Sequence, residues 1–402
     1  MNYTTRMMML VLGVLLGACD ARTDTTVEPL QAPVGAESLA PQLFNANGRI
    51  SLSWLEVDGE GHALRYATWE GDRWSDARMV ARGDDWFANW ADIPGVRPLS
   101  DGRWLAWWLQ KSADATYAYD VQLATSDDGI EWRPIGSPHH DGTPTEHGFV
   151  SAFDNADGFA LAWLDGRNTT SSGEHHGHGG GMTLRYGAFD GSGVQTAETQ
   201  LDGLVCDCCQ TDATATPDGA IVVYRNRTEE EIRDIYAIRL VDGEWSEPVR
   251  VHADDWKIDG CPVNGPAVAA HGDNVAVAWF TAAGGEPKVH VAFSEDGGRS
   301  FAPPVRVDAG RPLGRVDIVL RPQDGAWVSW MEAGEGGAQL LLRAVDSNGL
   351  MDDSISVAGM TAARASGFPR MATLDDGRLL FVWTEADDAG RQVRTGIVNP
   401  GH

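Results

Sequence analysis

Gly102-Arg103-Trp104-Leu105-Ala106-Trp107-Trp108 is a short apolar run that opens on glycine and closes on an aromatic residue. Gly48-Arg49-Ile50-Ser51-Leu52-Ser53-Trp54 repeats the pattern one unit earlier. The closing aromatic recurs at Trp163, Tyr224, Trp279, Trp330 and Trp383, at intervals of 51 to 61 residues. Spacing this even signals one supersecondary unit copied around a ring or along a stack. In each copy a loop rich in Pro, Gly and polar residues leads into an apolar stretch, a glycine turn and the aromatic-ended run. Two more strand-like runs joined by a tight turn follow, as at Leu64 to Thr68 and from Trp74 onward. Four short alternating strands per unit, without helical periodicity, describe a blade of an all-β propeller. Seven blades are expected, with six as the alternative.

The ends of the chain bear on closure. The last copy supplies three runs, Phe368 to Thr373, Arg378 to Trp383 and Gln392 to Val398. Its outer strand must come from elsewhere, and residues near Thr25 to Leu30 are placed to provide it, leaving no open edge between first and last blades.

The tight turns carry a second signature. Ser294-Glu295-Asp296-Gly297-Gly298-Arg299-Ser300-Phe301 fits an Asp-box, and Ser126-Asp127-Asp128-Gly129-Ile130-Glu131-Trp132 is a version one residue shorter. Ser and Asp side chains bond the turn amides, glycine takes the positive-φ position and the aromatic packs beneath the hairpin. Degenerate copies stand at Glu70-Gly71-Asp72-Arg73-Trp74 and Asp242-Gly243-Glu244-Trp245. On these residues the chain resembles the sialidase-like (BNR, Asp-box) propeller family over about residues 38 to 399. The boxes are structural turns and speak for fold.

Composition agrees with one large β domain: 43% of the 402 residues are hydrophobic and 16 are Trp. The net charge of −27 excludes nucleic acid and anionic lipid as direct partners. Arg6 precedes an apolar run from Met7 to Leu16, too short to span a bilayer and suited to a signal peptide. The run ends in Leu16-Gly17-Ala18-Cys19, which looks like a bacterial lipobox with acylation at Cys19. The expected organisation is a signal peptide over 1–18, a lipidated Cys and tether over 19–37, and a single propeller over 38–399. That implies a monomer anchored to the cell envelope, periplasmic or surface-exposed, whose partners are the membrane through Cys19 and a glycan, small molecule or envelope protein.

Propeller geometry sorts the loops. Loops leading into each blade's first strand share a face with those between second and third strands, and the Asp-box turns lie opposite. The first face collects the unusual residues. Counting back from the aromatic markers brings Cys209, Asn264 and Arg315 near the channel mouth, with Asp92, Glu146, His147, Asp317 and Arg364 close by. Candidate ligand-binding residues are Trp86, Trp90, His147, Asp207, Gln210, Arg225, Trp256, Asn264, Arg315 and Arg364.

Two further chemistries share this face. His175, His176 and His178 in one loop and Cys206, Cys208 and Cys209 in the next are soft ligands suited to copper or zinc. The same thiols, with Cys261, are an even set for disulfides in an oxidising space. The family resemblance implies a sialidase set of three Arg, a Tyr activated by Glu, and an acid/base Asp. Asp92, Asp317, Arg315 and Arg364 are the catalytic candidates here. No Phe/Tyr-Arg-Ile-Pro motif appears in the first blade, and Tyr224 reads as a blade-core marker rather than a nucleophile. The sequence therefore points to a ligand-binding propeller, with an exo-α-sialidase-like hydrolase and a copper or zinc protein as alternatives.

Overall fold

A computed structural model describes residues 26–169, 180–387 and 390–400. Seven antiparallel sheets follow one another in chain order. Blade one contains Ser38–Ala46, Arg49–Asp58, Gly61–Thr68 and Arg78–Gly83; blade two contains Gly95–Pro98, Trp104–Lys111, Tyr119–Ser126 and Arg133–Gly136. Blade three is built from His147–Asn155, Gly158–Asp165, Met182–Asp190 and Gln195–Val205. In blade four Asp212–Thr216, Gly219–Arg225 and Ile235–Val241 are followed by an outer strand in two pieces, Glu244–Trp245 and Val249–Arg250. Blades five and six run from Ala267–His271 to Val305–Arg306 and from Pro312–Leu320 to Ile355–Met360.

The seventh blade closes the ring. Arg370–Thr373, Leu379–Asp387 and Gly390–Asn399 are completed by Thr26–Leu30, which pairs with the last strand from Thr26 opposite Asn399 to Leu30 opposite Thr395. The fourth strand expected from upstream of the first copy is there, and the propeller itself begins at Thr26. Cys19 and the apolar run before it lie outside the described residues.

The repeated aromatic stands within the second strand of each blade, where the space between twisted sheets accepts a large flat side chain. Trp54, Trp163, Trp279, Trp330 and Tyr224 are fully buried. Burying an indole removes roughly 200 Å² from water, about 5 kcal/mol by area. Each buried N–H must still find an acceptor, and three blades solve this alike. Trp54 donates to Glu56, Trp163 to Asp165 and Trp330 to Glu332, at 2.8, 2.9 and 2.6 Å. In blade two Trp107 is the deeper of the adjacent pair.

The Asp-boxes form as read. Ser294 Oγ accepts from the amides of Asp296 and Gly298, and Asp296 from that of Ser300. Ser126 and Asp128 bond the amides of Gly129, Ile130 and Glu131 in blade two. Both turns join third to fourth strands, which antiparallel pairing puts on the face opposite the lead-in loops. We call the lead-in side the upper face. The first strands line a central cavity of about 580 Å³.

Candidate functional site

Most polar residues at the upper mouth bond the neighbouring blade rather than face solvent. Asp92 Oδ1 accepts the amide of Phe149 at 2.8 Å, Gln210 Oε1 that of Gly265 at 3.2 Å, and Asn264 Oδ1 that of Arg315 at 2.7 Å. The Asp92 and Asn264 bonds link one blade's lead-in loop to the next blade's first strand, and the Gln210 bond links the lead-in loops of blades four and five. Phe149 and Arg315 sit at bulges with φ of 53° and 54°, a region non-glycine residues seldom occupy. Adjacent glycines leave room for the latch: a Cβ at Gly148 would meet Asp92 Oδ2 at 1.8 Å, and one at Gly314 would meet Asn264 Oδ1 at 2.2 Å. Deeper in the channel Asp317 accepts the amide of Met371 at 2.7 Å, and burial pushes its carboxyl up to about 6.

The lead-in loop of blade two crosses the mouth. Trp90 stacks on Phe368 of blade seven with ring centroids 5.8 Å apart, while the Ala91 carbonyl accepts from Gln210 of blade four at 2.8 Å. Ala91 and Ile93 then form the upper end of the central cavity. The polar channel is covered on the side where the sequence reading places a ligand.

Beneath this loop lies a group with only partial signal in the sequence. The Tyr119 hydroxyl is 2.7 Å from both Asp92 Oδ2 and Glu146 Oε1. Burial drives all three toward their protonated forms, Asp92 to about 7 and Glu146 to about 8, with Tyr119 well above its usual range. Asp92 and Glu146 are read correctly as mouth residues; Tyr119, the opening residue of blade two's third strand, is missed. A Tyr, a Glu and an Asp thus meet, as a sialidase-like set requires, but Tyr119 is wholly inaccessible to solvent.

The arginines divide into two kinds. Arg225 is buried and gives four hydrogen bonds to the carbonyls of Asn264, Arg233 and Phe280, with Trp256 against its guanidinium. Asp207 pairs with Arg227 at 3.0 Å, and Trp86 stacks on Trp108. These predicted ligand residues are held by the protein itself. Arg315 is buried and carbonyl-bonded like Arg225, whereas Arg364 is exposed, and the two meet at one ring. Their guanidiniums lie 5.0 and 5.9 Å from the Trp90 ring, and among the described residues neither has a carboxylate partner. Arg315 bonds the carbonyls of Ala363 and Gly367, fixing the turn that carries the exposed Arg364. Burial first, and then the charge of Arg364, pulls Arg315 down to about 10.

The cysteines are partly joined. Cys208 and Cys261 form a disulfide between the lead-in loops of blades four and five, with Cα atoms 6.1 Å apart. The bridge uses Cys208 rather than Cys206, whose similar position in the adjacent loop suggests it as the partner of Cys261. Cys208 is thereby removed from the expected set of three thiolate ligands. Cys206 and Cys209 are buried free thiols with Sγ atoms 3.1 Å apart. Burial works to raise Cys206, but its bond with Cys209 and the charges of Arg233 and Arg225 outweigh this and lower it, while Cys209 is raised. His175, His176 and His178 lie outside the described residues.

His147 belongs to a cluster that the sequence reading misses. It is fully buried, stacked on His139 at 3.8 Å, with Nδ1 3.3 Å from Asp120 and Nε2 3.2 Å from Asp141. Asp165 Oδ1 is 3.9 Å from Nε2 and is itself gripped by Arg167 at 2.7 Å. Strand alternation explains the placement. Tyr119 and Glu146 form a backbone bridge and point to Asp92, so their chain neighbours Asp120 and His147 point the other way. A signal was present in His139-His140-Asp141, just ahead of the blade's first strand, yet one partner, Asp120, comes from another blade.

No protein-family model and no curated protein sequence matches this chain significantly. Solved structures with a similar fold include the BP39L lectin from Burkholderia pseudomallei. It is 13% identical with a TM-score of 0.56 over 92% of this chain and 97% of the lectin. The polysaccharide lyase Uly1 is 9% identical, with a TM-score of 0.54 and 94% of each chain covered. A protein of unknown function from Dyadobacter fermentans is 13% identical, with a TM-score of 0.49 over 94% of this chain and 98% of that one. At these identities the likeness to the lectin and the lyase speaks for the fold alone, and with the seven sheets it makes the chain a seven-bladed, all-β propeller of four-stranded blades.

Proposed function

We propose that the chain is an envelope lipoprotein, anchored through Cys19, whose propeller binds an acidic carbohydrate at the upper face around Trp90, Arg315 and Arg364. One observation carries the reading. In a chain of net charge −27, two guanidiniums share one aromatic ring and, among the described residues, meet no carboxylate. A sugar carboxylate or sulfate supplies the missing charge, Arg being suited to bidentate pairing with such oxyanions. A lectin and a polysaccharide lyase on the same architecture give this ligand class support.

Binding is favoured over hydrolysis because Asp92, Tyr119 and Glu146 are sealed from solvent and occupied with one another and with Phe149. Their meeting supports a second reading, a sialidase-like hydrolase in which ligand binding shifts the blade-two lead-in loop. The tests are separable. Protein with Cys19→Ser, titrated calorimetrically with a uronate-containing oligosaccharide, should bind it, ignore the neutral analogue and lose at least tenfold in affinity on Arg364→Ala. Release of a fluorogenic leaving group from a sialoside, abolished by Tyr119→Phe, would instead establish the hydrolase.

A further inference from the structure

We propose that His139, Asp141 and His147, in the lead-in loop and first strand of blade three, bind a divalent first-row transition ion such as Zn²⁺. Two atoms that face each other, His147 Nε2 and Asp141 Oδ2, are buried without a hydrogen-bond partner; His139 Nε2 is unpartnered too, while its other ring nitrogen, Nδ1, is the one directed at Asp141. His139 and His147 are themselves at least nine-tenths buried. A native interior rarely leaves such atoms unpaired, since each costs about 1–3 kcal/mol.

The donors converge. Asp141 Oδ2 stands 3.2 Å from His147 Nε2 and 3.5 Å from His139 Nδ1. Ligands each about 2 Å from a tetrahedral zinc lie roughly 3.3 Å apart. His147 also has the support a ligating imidazole needs, its Nδ1 facing the Asp120 carboxylate at 3.3 Å and the Tyr119 carbonyl at 3.4 Å. That assigns the proton to Nδ1 and leaves Nε2 as the donor to the ion.

Charge points the same way. With neutral imidazoles, Asp120, Asp141, Asp165 and Glu198 stand against Arg167 and Arg185, a local balance of −2 that a divalent cation neutralises. Arg167 binds Asp165 through two nitrogens and Glu198 through Nη2; the same Nη2 pairs with Asp141 Oδ2 at 3.4 Å without a hydrogen bond, so that oxygen keeps its side toward His147. Two imidazoles and one carboxylate, without sulfur, select Zn²⁺ and its neighbours over Cu⁺ or Ca²⁺. The set shares no residue with the cysteines or with the histidine-rich sequence at His175, His176 and His178.

Those three histidines are first replaced by Ala, so that they contribute no binding. In this background, equilibrium dialysis against micromolar Zn²⁺ with elemental analysis should give one ion per chain. His147→Gln and Asp141→Asn should each weaken binding at least tenfold while circular dichroism shows an intact β fold, and Cys206→Ser should leave it unchanged. A thermal midpoint raised by Zn²⁺ only when His147 and Asp141 are present is the second expected result. No ion bound by the background protein, or equal binding by both folded variants, overturns the proposal.

Discussion

The channel mouth and the blade-three pocket are both buried and polar, and they satisfy their polar atoms in opposite ways. At the mouth, Asp92, Gln210, Asn264 and Arg225 are each bonded to backbone groups of a neighbouring blade. In blade three, His139, Asp141 and His147 bring their heteroatoms together and leave one on each without a partner. The contrast teaches that unusual residues converging on a propeller axis are not thereby a ligand site. Residues that complete the protein's own hydrogen bonds hold blades together; those left incomplete await something else.

Removing mouth residues should therefore cost stability. Arg225→Ala leaves three buried carbonyls short of a donor and should lose about 3–5 kcal/mol in urea unfolding, with ligand affinity of the folded fraction unchanged. An affinity loss without destabilisation would move Arg225 from scaffold to site. Cys208→Ser breaks the bridge between blades four and five, and about 2–4 kcal/mol should follow. A variant as stable as the parent would mean that the two loops are already held by the Gln210 latch and by Arg225 on the Asn264 carbonyl.

Asp92 offers a pH-resolved version of the same comparison. Burial raises its carboxyl to about 7 in the folded protein, against 3.8 for the free group. The native state holds the proton more tightly, so stability is full below about pH 4 and declines as pH rises toward 7. Between pH 5 and 8 the wild type should lose on the order of 2 kcal/mol more than Asp92→Asn, whose side chain cannot ionise. Parallel pH profiles would show that Asp92 is already charged in its latch. The smallest effect belongs to blade three: in metal-free buffer His147→Gln should cost about 1–2 kcal/mol, the Nδ1 contacts with Asp120 and Tyr119 being lost while Nε2 forfeits no hydrogen bond. A large loss there would make the cluster a scaffold like the mouth.

The wheel was legible because its cause is local and repeated. A large aromatic within each second strand needs the same inter-sheet space seven times, and the three-stranded last copy required an outer strand from the other end of the chain. Register counting also brought Asn264 and Arg315 to the mouth. What it could not supply was direction. Phe149 and Arg315 adopt a left-handed bulge that nothing in their side chains favours, and that bulge turns their amides toward the preceding blade. The imidazole pair was hidden for another reason. His147 was visible as a mouth residue, but its partners Asp120 and Asp165 come from different strands, and only the paired alternation at Tyr119 and Glu146 brings them together. The disulfide was constrained by composition and decided by which of three neighbouring cysteines faced blade five.

Calorimetric titration of the Cys19→Ser protein with a uronate-containing oligosaccharide, repeated on Arg364→Ala and on Asn264→Ala, tests the distinction between site and scaffold most directly. The guanidinium variant should stay as stable as its parent and lose at least tenfold in affinity, while the latch variant should unfold more easily by about 1–3 kcal/mol and bind as before. Affinity that survives Arg364→Ala and falls with Asn264→Ala would contradict it.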